Sequence, residues 1–149
     1  MTWYGAQAYS LFVGRKLPTN AQWEKSARGT DGRLYPWGNE SPNKNLLNYN
    51  ENEGETTIVG SYPDGASPYG AVDMIGNVSQ WMSDHLDDEK HFETLPSKNP
   101  IASIQIKRVG LRGDPWLSYT AWTIRADVTN GWGKNKHKKT IGFRCALSS

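Results

Sequence analysis

Gly70-Ala71-Val72-Asp73-Met74-Ile75-Gly76-Asn77-Val78-Ser79-Gln80-Trp81 is the stretch on which the reading of this chain turns. Three other strings accompany it. Upstream lie Arg15-Lys16-Leu17-Pro18-Thr19-Asn20-Ala21-Gln22-Trp23-Glu24 and Tyr35-Pro36-Trp37-Gly38-Asn39-Glu40, and near the far end lies Ile141-Gly142-Phe143-Arg144-Cys145-Ala146. Together the four strings span nearly all of the 149 residues, a length that suits one domain. Between them, 15 Gly and 8 Pro interrupt almost every apolar run. That density leaves room for few regular elements, so most of the chain should be loop packed around a small scaffold.

Two helices are legible all the same. Thr2 can cap the first, with Tyr4, Ala8, Leu11 and Phe12 at helical spacing as its apolar face and Gly14 as the stop. Thr19 caps the second, and Gln22 three residues on completes a capping box. Trp23 and Ala27 share a face of that helix, and Gly29 ends it. Short strands are expected over Thr57–Tyr62, Ile104–Val109 and Ile141–Leu147, where β-branched or apolar residues alternate. In the last of these the period of two puts Cys145 with Ile141, Phe143 and Leu147 on a buried face. Residues 84–100 are polar and without period, a long surface excursion.

Composition excludes several classes. With 36% hydrophobic and 21% charged residues the chain is neither disordered nor a membrane protein. No run approaches the ~18 apolar residues of a membrane span, and the residues after Met1 lack the basic-then-apolar pattern of a signal peptide. If Met1 is the true start, the expected compartment is the cytoplasm. A net charge of +2 says little about partners, and nucleic acid is not expected, because no aromatic-interleaved groove accompanies the one basic cluster. The one basic cluster, Lys134, Lys136, Lys138 and Lys139 with His137, reads as a solvated loop, as does the acidic run around Asp84, Asp87, Asp88 and Glu89. A single cysteine rules out an internal disulfide and a four-cysteine zinc site. Of seven tryptophans, Trp23, Trp37 and Trp81 are expected as core pillars. Trp116, Trp122 and Trp132 sit among Ser118, Tyr119, Thr120 and Asn130, a mixture of rigid aromatic and small polar residues that suits a contact surface. A packed core accommodates them equally well.

In this order the four strings resemble the formylglycine-generating enzyme (sulfatase-modifying factor) family. The resemblance implies an α+β, C-type-lectin-like fold, with residues 1–149 forming a partial domain. Family members open with a glycine-rich strand region before the first helix, and this chain begins at that helix, so a truncation at the N-terminus is expected. In the fold the first and last strands pair, which would leave the edge of Ile141–Leu147 open to self-association.

The resemblance also sets chemical expectations. Family enzymes carry two cysteines before the final strand that bind copper and engage the substrate cysteine. The matching segment here, Arg112 to Arg125, has none. Thiolate is the ligand soft enough for Cu(I), so copper is not expected. The iron ligands of the related sulfoxide synthases come from a helical domain outside these residues. Calcium is the implied ion. Its ligands would be Asp73, the carbonyls of Gly76 and Val78, and Gln80, where relatives usually carry Glu, with a hydrogen-bonded, ion-free turn as the alternative. A second calcium would use Asn48 and the carbonyl of Tyr49. The expected function is a non-catalytic module binding a protein or small-molecule ligand, akin to diversified variable proteins. Its contact set would be Trp116, Ser118, Tyr119, Thr120, Trp122, Asn130 and Trp132. The alternative is an oxygen-dependent formylglycine-generating or related non-haem metal oxidoreductase, or its remnant.

Overall fold

The structure, a computed structural model, describes residues 1–86, 97–98, 100–101 and 108–147. Two helices, α1 (Trp3–Phe12) and α2 (Asn20–Arg28), precede four short strands, β1 (Ser79–His85), β2 (Arg108–Arg112), β3 (Asn130–Gly133) and β4 (Ile141–Gly142). The strands form one sheet in the order β3-β2-β1-β4. β1 runs antiparallel to β2, and β2 to β3, whereas β4 lies parallel to β1. The result is the expected α+β, C-type-lectin-like arrangement.

Local chemistry explains where the helices begin. The Thr2 hydroxyl accepts from Gly5 N at 3.3 Å. At α2 the capping box forms in full: Gln22 N donates to Thr19 Oγ1 (3.1 Å) and Thr19 N donates to Gln22 Oε1 (3.0 Å). Gly29, at φ 66°, stops α2 in a conformation that favours glycine.

The face of α1 differs from the expectation. Trp3, Ala6 and Ser10 are buried, whereas Tyr4, Ala8, Leu11 and Phe12 face outward. The cause is an anchor stronger than a stripe of apolar residues. The Trp3 indole N–H donates to Met82 O at 2.8 Å, and Ser10 meets the thiol of Cys145 at 3.4 Å, which turns that side of the helix to the sheet.

β1 divides the interior. On one side Met82 joins Trp23, Ala27, Leu47, Met74, Ile75, Ile124 and Ala126. On the other Trp81 joins Trp3, Ala6, Leu17, Val109, Leu111 and Ile141. Trp23 and Trp81 are the expected pillars, while Trp37 is half-buried and stacks on Tyr35 with ring centroids 5.0 Å apart.

Two strand expectations need correction. Residues 57–62 form no strand, and Ile58 and Val59 are 85% and 77% exposed. The Asn77 side chain takes both backbone groups of Thr57, accepting from its N (3.0 Å) and donating to its O (3.2 Å), and Gly60 at φ 83° turns the chain away. The last strand keeps ladder pairing only over Ile141–Gly142, with a separate antiparallel bridge from Ala146 to Lys16. Cys145 is consequently half-buried and Leu147 exposed. Of the strand expected over 104–109, Arg108 and Val109 belong to β2 and residues 104–107 lie outside the described residues.

Candidate functional site

The segment after β2 is held from below by backbone. Gly113, at φ 69°, passes so close to the Met74 carbonyl that a Cβ there would collide with it. Asp114 O then accepts from Gly76 N (2.8 Å), and Trp116 N donates to Asn77 O (3.1 Å). From the other side Asn50 N donates to Ser118 O (2.9 Å) and Glu51 N to Trp116 O (3.0 Å). Two loops thus cradle residues 113–118 and hold Tyr119 and Thr120 out toward solvent.

Arg112 anchors the base of this segment. Its buried guanidinium donates to Asn20 Oδ1 (3.0 Å), Glu24 Oε2 (2.9 Å), Ala126 O (3.2 Å) and Val128 O (3.4 Å). Burial pulls its pKa down, and Glu24, Asp84 and Asp127 oppose the fall. Asp84, buried beside Asn20, accepts from that residue's backbone N (2.8 Å) and Nδ2 (3.1 Å). Burial pushes its carboxyl above the usual range despite those bonds.

The seven expected contact residues separate into three groups. Tyr119 and Trp122 are 64% and 71% exposed and, with Thr120, form a rim. Tyr119 OH donates to Glu51 Oε1 (2.6 Å), and the Arg125 guanidinium lies 5.9 Å from the Trp122 ring centroid. Asn130 and Trp132 line a cleft of about 290 Å³ together with Arg108, Asp114, Lys138 and Thr140. Trp116, only 3% exposed, is core, and Ser118 is half-buried beneath the rim.

Sequence reasoning missed four contributors, Asp114 and three lysines. Asp114 lines the cleft, accepts from Asn130 Nδ2 (3.3 Å), and is pushed up by burial against the pull of Thr123 and Ser118. Lys138 and Lys139, read as a solvated loop, lie 4.5 Å over Trp132 and 4.9 Å over Trp116, and Lys134 lies 4.7 Å over Trp3. These are cation–π distances. The available signal was the pairing of a lysine run with a tryptophan-rich segment, because each ammonium can cover a ring while its stem packs.

The two implied calcium sites differ in fit. In the loop 73–80, Gln80 Nε2 donates to Asp73 O (2.9 Å) and Met74 O (3.2 Å) and lies 3.5 Å from Val78 O. Asp73 Oδ2 accepts from Gly60 N (2.7 Å). The Gly76 backbone, at φ 80°, packs where a Cβ would stand 2.6 Å from Asn48 O. A nitrogen donor therefore occupies the place where a hard cation needs oxygen, and this loop does not fit calcium. At the other site Asn48 Oδ1 is buried without a hydrogen-bond partner, as is the nearby Thr57 Oγ1, while Asn48 Nδ2 donates to Glu55 O (2.8 Å). Unpartnered buried oxygens are the donors a hard cation takes, so this site suits one better than the loop 73–80, although the Tyr49 carbonyl already accepts from Asn52 N (3.1 Å).

Comparison with known proteins agrees with this architecture. The sulfatase-modifying factor enzyme 1-like domain matches residues 1–149. Serine/threonine-protein kinase pkn1 of Chlamydia caviae is 38% identical over 98% of this chain, which covers 23% of that protein. Inactive C-alpha-formylglycine-generating enzyme 2 of Mus musculus is 34% identical over the whole chain, which covers 48% of it. The chain thus spans between about a quarter and a half of these relatives. Among solved structures, PvdO from Pseudomonas aeruginosa superimposes with a TM-score of 0.80 at 22% identity, over 96% of this chain and 58% of that one, a likeness of fold. Treponema denticola variable protein 1 gives 0.72 at 25% identity, over 86% and 45%.

Proposed function

The chain belongs to the sulfatase-modifying factor (formylglycine-generating enzyme) family, and we propose that it serves there as a non-catalytic binding module. The observation that carries this reading is the rim. Tyr119, Thr120 and Trp122 are exposed on a segment whose backbone is fastened to two loops beneath it. Rigid support with exposed aromatic side chains lowers the ordering cost of binding. The same segment, residues 112–125, holds no thiol, and Cys145 lies against Ser10 of α1 instead. A hydroxyl or indole cannot replace the thiolate that the family's copper chemistry uses. Two likenesses support the reading: one relative is named inactive, and one neighbour is a variable protein.

Asn130 and Trp132, with Asp114 and Lys138, form an amphoteric cleft beside the rim. Lys138 can meet an anionic group of a ligand, and Asp114 a donor. Calcium at Asn48 Oδ1, with the Tyr49 carbonyl, would buttress the floor: Asn48 O accepts from Asn77 N (3.1 Å), and Asn77 O in turn holds Trp116. The ion would supply only positive charge that gathers oxygens.

Panning a displayed random-peptide library against the 149-residue chain tests the reading. Binders should be recovered whose affinity falls at least tenfold with Trp122→Ala or Tyr119→Ala, in line with the ~2 kcal/mol of a buried aromatic anchor. Binders indifferent to both changes would place the binding surface elsewhere.

A further inference from the structure

Beneath the loop that defines the family signature, four backbone carbonyls converge on two side-chain nitrogens. Gln80 Nε2 reaches Asp73 O and Met74 O, with Val78 O at 3.5 Å, and Arg144 Nη2 reaches Val72 O and Asp73 O, both at 2.9 Å. The other end of the Gln80 amide is also engaged. Its Oε1 accepts from Trp23 Nε1 (2.8 Å) and from Arg144 Nε (2.5 Å).

These contacts impose the orientation of the amide. An indole N–H and a guanidinium can only donate, and a backbone carbonyl can only accept. Turning the amide over would set its NH₂ against two donors and its oxygen against carbonyls. Gln80 and Trp23 are 2% and 1% exposed, so water cannot repair either mismatch.

We propose that Gln80 and Arg144 together stand in for a cation, so that this loop is built to close without a divalent ion. The half-buried guanidinium supplies the positive charge and the carboxamide supplies the donors. Asp73, the one carboxylate of the loop, is engaged by Gly60 N, and its backbone carbonyl accepts from Arg144. A calcium ion needs six to eight oxygens at about 2.3–2.6 Å, and to enter here it would have to expel Nε2 from the point it fills. The latch also ties three distant parts together: α2 through Trp23, the signature loop through its carbonyls, and the chain after β4 through Arg144.

The chemistry of residue 80 makes the proposal reversible. A carboxylate at this position would keep one oxygen on Trp23 and Arg144 and turn the other toward the carbonyls, an acceptor among acceptors. A cation between them resolves that conflict, or a proton on the second oxygen, so at neutral pH and millimolar calcium Gln80→Glu should create a calcium site that the natural residue forecloses.

The test uses four versions of the 149-residue chain: wild type, Asp73→Ala, Gln80→Glu and the double variant. For each, the melting temperature is measured in millimolar calcium and in chelator, and Trp-sensitised terbium luminescence is recorded, Trp23 being in direct contact with residue 80. Wild type and Asp73→Ala should show the same calcium response, whatever the Asn48 site contributes to both. Gln80→Glu should gain a further rise of several degrees and a terbium signal, and the double variant should lose both. A calcium response of the wild type that disappears with Asp73→Ala would overturn the proposal. So would a Gln80→Glu chain that responds no more than the wild type.

Discussion

Arg112 is the side chain whose removal should be felt most. Arg112→Ala takes away four donated bonds at once, to Asn20, Glu24, Ala126 and Val128, and with them the link between α2, β2 and the segment beyond the rim. Breaking a buried charge pair by deleting one partner costs about 3–5 kcal/mol. Glu24 is a third exposed and retains Arg28 at 2.5 Å, so it is not stranded, which favours the low end of that range. Asn20 and two carbonyls are left without their donor, so the loss does not vanish either. About 3 kcal/mol is a large share of the ~5–15 kcal/mol that holds a domain folded. With a urea slope of roughly 1–3 kcal/mol per molar, the midpoint should fall by about 1–3 M. Arg112→Lys should recover less than half, because one ammonium cannot span the four acceptors. Equilibrium urea melts followed by tryptophan fluorescence decide it. An Arg112→Ala midpoint equal to wild type, or full rescue by lysine, would refute the reasoning.

Asp84 gives a pH prediction. Its folded pKa is raised above the unfolded value by burial, so the protonated carboxyl favours the fold and stability is lost as pH rises through the folded pKa. Asp84→Asn retains an acceptor for Asn20 without that charge, so its melting temperature relative to wild type should climb from pH 4 to pH 7; a constant difference would count against the burial argument. The edge of the last strand gives another. Among the described residues β4 ends the sheet with ladder pairing to β1 alone, and sedimentation equilibrium at micromolar concentration should detect self-association; a monomer melting in one cooperative step would contradict it.

Much of the fold was legible because caps and glycines act locally. Thr2, the Thr19–Gln22 box, Gly29 and the pillars Trp23 and Trp81 stand where local rules put them. What escaped was set by partners distant in sequence. β1 reads Ser-Gln-Trp-Met-Ser-Asp, with polar residues buried by long-range bonds, so neither alternation nor an apolar run announces it. The α1 stripe misled because a single indole bond to Met82 O outweighed it. Within the candidate site, Tyr119 and Trp122 lie exposed, whereas Trp116 went to the core. Asp114 depends on how two loops cross, which no local pattern encodes, whereas the lysines over the tryptophans left a signal in the lysine run beside a tryptophan-rich segment.

The central claim is that this member of the family binds and does not convert. Incubating the chain with a sulfatase-type Cys-x-Pro-x-Arg peptide under oxygen, with and without copper, and weighing the product by mass spectrometry tests it most directly. The peptide cysteine should remain intact at every copper concentration, because residues 112–125 offer no thiolate to bind the metal or engage the substrate. Copper-dependent appearance of formylglycine with repeated turnover would contradict the account.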